Sequence, residues 1–147
     1  MRKVLYKLIF TLSFYGYSQD EKKPQKVKID HADELEGGRV NGKEVRKLRG
    51  DVVFSQDGTK MFCDSAYQYT NTNSIDAFGR VKIVQQNTTI VGDFLTYNGN
   101  TKIAKMRGNV IMKDQTMTLY SDKLDYNLTT NTAYYNEGGK IIDKDAT

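Results

Sequence analysis

From residue 49 onward, apolar and polar positions alternate in short runs that break at Gly, Asn and Asp. Behind Gly50 the apolar positions are Val52 and Phe54. Behind Gly79 they are Val81 and Ile83, with Lys82 between them, and behind Gly108 they are Val110 and Met112. A period of two is the mark of a strand with one buried face. Each run ends in a turn-prone triplet, "QDG" (56–58), "QQN" (85–87) or "KDQ" (113–115), and a second alternating run follows. That run carries Met61, Ile90 or Leu119, then Asp64, Asp93 or Asp122, then Ala66, Leu95 or Leu124, then Gln68, Tyr97 or Tyr126. A second set of turns comes next: "TNTN" (70–73), "NGN" (98–100) and "LTTN" (128–131). A third short strand, with Ile75/Ala77, Ala104/Met106 or Ala133/Tyr135 on its inner side, returns to the next Gly.

The spacing is fixed. Gly50, Gly79 and Gly108 stand 29 residues apart, and so do Asp64, Asp93 and Asp122. Partial units flank the full ones: Asp33, Leu35 and a strand ending at Leu48 upstream, and "GGKIIDKDAT" downstream. A lone hairpin cannot bury its apolar face, so neighbouring units must cover it. The pattern therefore predicts an all-β stack of two to three short antiparallel strands per unit, folded into two facing sheets or an open V. The repeated Gly is expected at a bend or bulge.

Composition agrees: 11% aromatic residues, no Trp, one Pro and 12 Gly, without the runs of strong helix formers that a helical chain would show. The charge of +4 needs correcting for the N-terminus. Residues 1–18 read as a secretory signal peptide, with basic Arg2, Lys3 and Lys7, an apolar stretch from Leu8 to Tyr15, and small residues Gly16 and Ser18 before a cut at Gln19. The other reading of this segment is a buried N-terminal strand or helix. Residues 1–18 hold three basic and no acidic residues, so without them the formal charge falls from +4 to about +1. That removes the electrostatic argument for nucleic acid. Residues 19–26, which carry the single Pro, read as a flexible lead-in to one domain over residues 27–147.

The chemistry-bearing residues are sparse. Cys63 is the one Cys, so no internal disulfide can form, and His31 is the one His. Neither a His-based metal site nor a Ser–His–Asp arrangement has enough to draw on. Asp64, Asp93 and Asp122 lie too far apart in sequence for a calcium loop and suit a hydrogen-bonding role at a strand bend. No enzyme, cofactor or metal is expected. Tyr97 and Tyr126 share parity with Leu95 and Leu124, so they point inward, whereas a glycan platform would need its aromatic residues outside.

The sequence from Gly-x-Val-x-apolar through Asp-x-Leu-x-Tyr to the Asn-containing turn is plainest in "MRGNVIMKDQTMTLYSDKLDYNLTTNTAYYNEGG" and "GRVKIVQQNTTIVGDFLTYNGNTKIAKMRGNV". It resembles the OstA-like (LptA) family of periplasmic lipopolysaccharide-transport proteins, over roughly residues 27–147. The resemblance implies a twisted β-jellyroll, open at both ends, whose apolar interior takes the acyl chains of lipid A. It also implies stacking end to end, or onto other transport components, between the membranes of a Gram-negative bacterium, with membrane contact only through partners. The positions that match the repeat, and so are expected to line the lipid site, are Val52, Phe54, Val81, Ile83, Val110 and Met112, with Ile90, Leu95, Leu119 and Leu124. Lys102, Lys105, Arg107 and Lys123 would stand near the rim, where phosphates could be met. The rival expectation is a structural β-repeat module with a closed core that binds glycan or protein on its outer face. The sequence also reads as one piece of a longer family member, since its fourth unit stops after one strand.

Overall fold

A computed structural model describes residues 4–7, 25–135 and 138–143. Its strands are β1 (Val4–Lys7), β2 (Lys28–His31), β3 (Glu34–Val40), β4 (Lys43–Gln56), β5 (Thr59–Tyr69), β6 (Ser74–Gln85), β7 (Thr88–Asn98), β8 (Ile103–Lys113), β9 (Met117–Asn127), β10 (Thr132–Tyr135) and β11 (Lys140–Asp143). All pair antiparallel in one open sheet that runs β1-β10-β9-β8-β7-β6-β5-β4-β2, with β3 also on β4 and β11 also on β9. From β3 to β10 consecutive strands are neighbours because the turns between them are short. Asn41-Gly42 and Asp57-Gly58 have φ of 50°/77° and 47°/79°, the two-residue hairpin geometry whose twist matches that of the strands it joins.

The last copy of the predicted third short strand stands alone as β10 (Thr132–Tyr135), but in the earlier units that strand does not exist separately. It is continuous with the first strand of the next unit, giving strands of 11 to 14 residues from β4 to β9. What reads in sequence as a break at Gly is a bend in mid-strand. At each bend two residues oppose one: the register between β4 and β5 jumps from Arg49↔Ser65 to Val52↔Cys63. Between β6 and β7 it jumps from Phe78↔Phe94 to Val81↔Gly92, and between β8 and β9 from Arg107↔Lys123 to Val110↔Ser121. The inserted pairs are Gly50-Asp51, Gly79-Arg80 and Gly108-Asn109, all six residues with φ between 44° and 81°. Such bulges sharpen the bend and twist of a strand.

The Asp before each bulge packs against its Gly. A Cβ on Gly79 would stand 2.6 Å from an Asp64 carboxylate oxygen, and one on Gly108 would stand 2.6 Å from Asp93. Asp64 also receives the Arg80 guanidinium at 2.8 Å, and Asp93 receives the Asn109 side-chain amide at 2.8 Å. The repeated Asp thus has the hydrogen-bonding place at a bend that its spacing suggests.

Bending every strand at the same level folds the single sheet into two facing arms. Alternate residues of both arms point into the space between them. Leu48, Phe54, Met61, Ile75, Ile83, Ile90, Leu95, Met106, Met112 and Leu119 are at most 1% exposed. Leu35, in the upstream partial unit, lies outside this core at 56% exposure, because β3 is an edge strand paired only with β4.

Val4–Lys7, within the segment read as a signal peptide, pairs by its backbone with β10. Residues 1–3 and 8–24 lie outside the described residues. At the end of the lead-in, the Gln25 carbonyl accepts hydrogen bonds from Gln56 and Asn73, and Val27 is buried.

Gly79→Ala is expected to cost about 2–4 kcal/mol, combining left-handed backbone strain with overlap on Asp64. Gly58→Ala, which has the same backbone strain but open space around it, is expected to cost only about 1–2 kcal/mol. Urea denaturation of both variants measures the difference, and equal losses would show that the Asp–Gly contact contributes nothing.

Candidate functional site

The interior between the arms collects the sequence-predicted residues. Val52, Phe54, Val81, Ile83, Ile90, Leu95, Val110, Met112, Leu119 and Leu124 all face it and none is more than 2% exposed. They pair across strands in continuous rows, such as Phe54↔Met61↔Ile83↔Ile90↔Met112↔Leu119. Each row runs along the stacking direction, so the apolar surface is a column rather than a spot.

Following one strand from the bend to its turn, the inward residues change character. Val52 and Phe54 lead to Gln56, Val81 and Ile83 to Gln85, and Val110 and Met112 to Asp114. On the opposite arm Leu95 leads to Tyr97 and Leu124 to Tyr126. The interior is apolar against the bend and polar at the turns.

The two rows of turns meet there and close the arms along a seam. Gln56 donates to the Gly99 carbonyl at 2.8 Å, and Gln85 donates to the Leu128 carbonyl at 3.0 Å, each across 43 residues of chain. The Tyr97 hydroxyl donates to Gln56, and the Gln68 amide donates to the Val27 carbonyl at 3.0 Å. Lys102 and Asp57 form an ion pair across the seam at 2.6 Å. Within one row of turns, the Gly99 amide donates to the Asn73 carbonyl and the Leu128 amide to the Lys102 carbonyl. Among the described residues no strand ladder crosses the seam; it is held by side chains and single turn contacts.

Sequence reasoning missed the role of Gln56 and Gln85, which it read only as turn residues. Their 29-residue spacing was the available signal. What it could not supply was the partner, since a turn carbonyl 43 residues away has no side-chain identity to recognise.

Among the described residues, two buried polar side-chain atoms at the seam have no acceptor or donor in hydrogen-bonding geometry: the Tyr126 hydroxyl and the Gln68 Oε1. Thr88 lies beside the Tyr126 oxygen and favours its ionised form, against the larger effect of burial. Next to it, Gln85, Thr88, Asp114, Gln115 and Asn131 help to line a cleft of about 70 Å³. Burial pushes the Tyr126 hydroxyl up to about 12, and burial with the nearby Asp57 charge raises Tyr97 further. The Cys63 thiol, 6% exposed beside the bend, is also pushed up to about 12 by burial.

The outer face accounts for the remaining candidates. Of the basic residues expected near the rim, Lys102 is committed to Asp57, and Arg107 pairs with Asp125 at 2.8 Å. His31 bonds the Asp51 carbonyl at 2.7 Å. Tyr67, Phe78 and Phe94 form an aromatic contact row with ring centroids 5.4 and 5.2 Å apart. Among the described residues, no group of three or more His, Cys, Asp or Glu is placed to hold a metal. No helix there is long and apolar enough to cross a membrane.

The sequence profile described as "OstA-like protein" matches residues 24–147. Among solved structures the fold is similar to that of LptH from Pseudomonas aeruginosa, described as the LptA-homologous periplasmic component of the conserved lipopolysaccharide transport device. The TM-score is 0.61 at 19% identity, covering 71% of this chain and 78% of that one. No curated protein matches the sequence.

Gln56→Leu would strand the Tyr97 hydroxyl and the Gly99 carbonyl, and is expected to cost about 2–4 kcal/mol. Gln85→Leu, at a half-buried position where water can replace the amide, is expected to cost about 1 kcal/mol. Chemical denaturation compares the two. Alkaline stability provides a second check. Cys63, Tyr97 and Tyr126 keep their protons in the folded chain at pH values where the unfolded chain releases them. Their contribution is therefore intact below about pH 9 and declines above it, by about 1.4 kcal/mol per pH unit for each titrating group. Cys63→Ser should move the onset of the decline from about pH 9 to about pH 10, as read from urea midpoints across that range.

Proposed function

The chain belongs to the OstA-like family, and on that footing we propose that it is a periplasmic lipopolysaccharide carrier that holds lipid A acyl chains between its arms. The observation that carries this reading is the continuous apolar column from Phe54 and Met61 to Met112 and Leu119, walled by the bend on one side and a ladder-free seam on the other. Each buried acyl methylene contributes about 0.8 kcal/mol, so a modest length of chain suffices for binding while leaving transfer possible. In this structure the column is filled by its own side chains. Loading therefore parts the arms, and the seam is where they part with the fewest bonds broken.

The mechanism is passive, with no reaction and no cofactor. The lipid headgroup stays outside while tails occupy the interior and pass along the column. Edge strands extend the column head to tail to another copy or to other transport components, because an edge presents unpaired backbone groups. Residues 1–18 act as the export signal, which places the mature chain between the membranes of a Gram-negative bacterium. A second reading, a closed-core module that binds glycan or protein outside, has the Tyr67–Phe78–Phe94 row in its favour.

A photo-crosslinking residue at Ile83, with exposed Lys82 as its outward neighbour, separates the two. In protein exported by a Gram-negative host, a lipopolysaccharide adduct is expected at Ile83 and not at Lys82. A folded, exported protein without the Ile83 adduct would support the closed-core module instead.

A further inference from the structure

Between bend and seam the interior has the polarity profile of an acylated amphiphile. Hydrocarbon-like surface fills the depth, and hydrogen-bonding groups lie where the arms meet. An acyl chain inserted with its tail toward the bend brings its linkage, an ester or amide carbonyl, to the level of the turns. That carbonyl is a strong acceptor and cannot be left unpaired once it is taken out of water.

The seam holds a donor for it. Tyr97 and Tyr126 occupy equivalent inward positions, yet only Tyr97 has an acceptor for its hydroxyl proton, Gln56. Gln85, which stands to Tyr126 as Gln56 does to Tyr97, donates to the Leu128 carbonyl and makes no bond to the tyrosine. The Tyr126 hydroxyl is thus buried in a residue only 1% exposed, with Thr88 beside its oxygen and no acceptor for its own proton. Leaving a buried donor unpaired is costly in a lipid-free protein, and natural structures rarely do so without a reason. The adjoining cleft of about 70 Å³, with Asp114 and four neutral polar residues among its lining, has room for about two waters or for one polar substituent. The only charged side chain in that lining is acidic, which suits hydroxyl or amide groups and not a phosphate.

From these observations we infer that Tyr126 is the linkage-binding residue of the interior, donating its hydroxyl to the ester or amide carbonyl of an acyl chain that enters through the seam. The inference rests on the lipid-carrier reading and adds to it an orientation and an entrance: tails toward Val81, Leu95 and Val110, linkage at Tyr126, and the adjoining polar substituent in the Gln85–Asp114 cleft. The substrate class follows as acylated, rather than alkylated, amphiphiles with a hydroxyl-rich head.

Two probes of matched tail test this on the full chain: N-dodecanoyl glucosamine, which has an amide carbonyl, and dodecyl glucoside, whose tail is joined by a glycosidic acetal with no carbonyl. Binding is followed by calorimetry for the wild type and for Tyr126→Phe. The wild type is expected to prefer the acyl probe, and Tyr126→Phe is expected to lose about fivefold to tenfold in affinity for it while binding the alkyl probe unchanged. Lipid-free Tyr126→Phe should be at least as heat-stable as the wild type, because it removes an unpaired group. Equal effects on both probes, no effect on either, or a destabilised lipid-free variant would overturn the assignment while leaving the carrier reading in place. If the wild type binds neither probe, the carrier reading fails and this assignment fails with it.

Discussion

The whole architecture depends on a close contact between a carboxylate and a glycine. Where Asp64 lies over Gly79, and Asp93 over Gly108, there is no room for a Cβ. The Gly and the residue after it both take left-handed backbone angles, which few L-residues adopt willingly. That pair inserts one extra residue, bends the strand, and turns its far half back over its near half. Without the bend, eleven antiparallel strands would make a flat sheet with one apolar face exposed. With it, the same face is enclosed by itself.

Once the arms face each other, a division of labour follows from elementary energetics. Backbone ladders run around the bend and hold the arms as one sheet. The column inside supplies apolar burial. Only the seam lacks ladder bonds, and there the chain uses amide and hydroxyl side chains that reach turn carbonyls, together with the Lys102–Asp57 pair. Ion pairs of this exposure contribute little by themselves. The seam is therefore closed but is the line of the molecule held by the fewest backbone bonds.

Much of this was legible because the period-two alternation and the 29-residue spacing are local properties that survive in any sequence that builds the fold. Inward facing of all ten predicted interior residues, the turn positions and the Asp–Gly bends could be read that way. The continuity of β6 and β8 through Gly79 and Gly108 could not, since a glycine that bends a strand and a glycine that ends one look alike in sequence. Leu35 was misleading for a related reason: its two-residue offset from Asp33 matches the repeat, but β3 is an edge strand paired only with β4 and Leu35 lies exposed. The seam was hidden most completely. Gln56 and Gln85 are turn residues by every local criterion, and their partners are backbone atoms that leave no mark in the sequence.

The reach of the seam has a geometric meaning of its own. Each bond from Gln56 or Gln85 spans 43 residues, while the bends recur every 29. The ring is thus completed about one and a half units downstream of where it starts. The tube is wound like a spiral staircase rather than assembled from closed hoops. A cut through such a winding, at any point, cannot produce a flush face. It leaves one arm projecting beyond the other, as an overhang does on a cleaved duplex. The stagger that closes the wall thus gives each end of the tube a stepped outline rather than a flat rim.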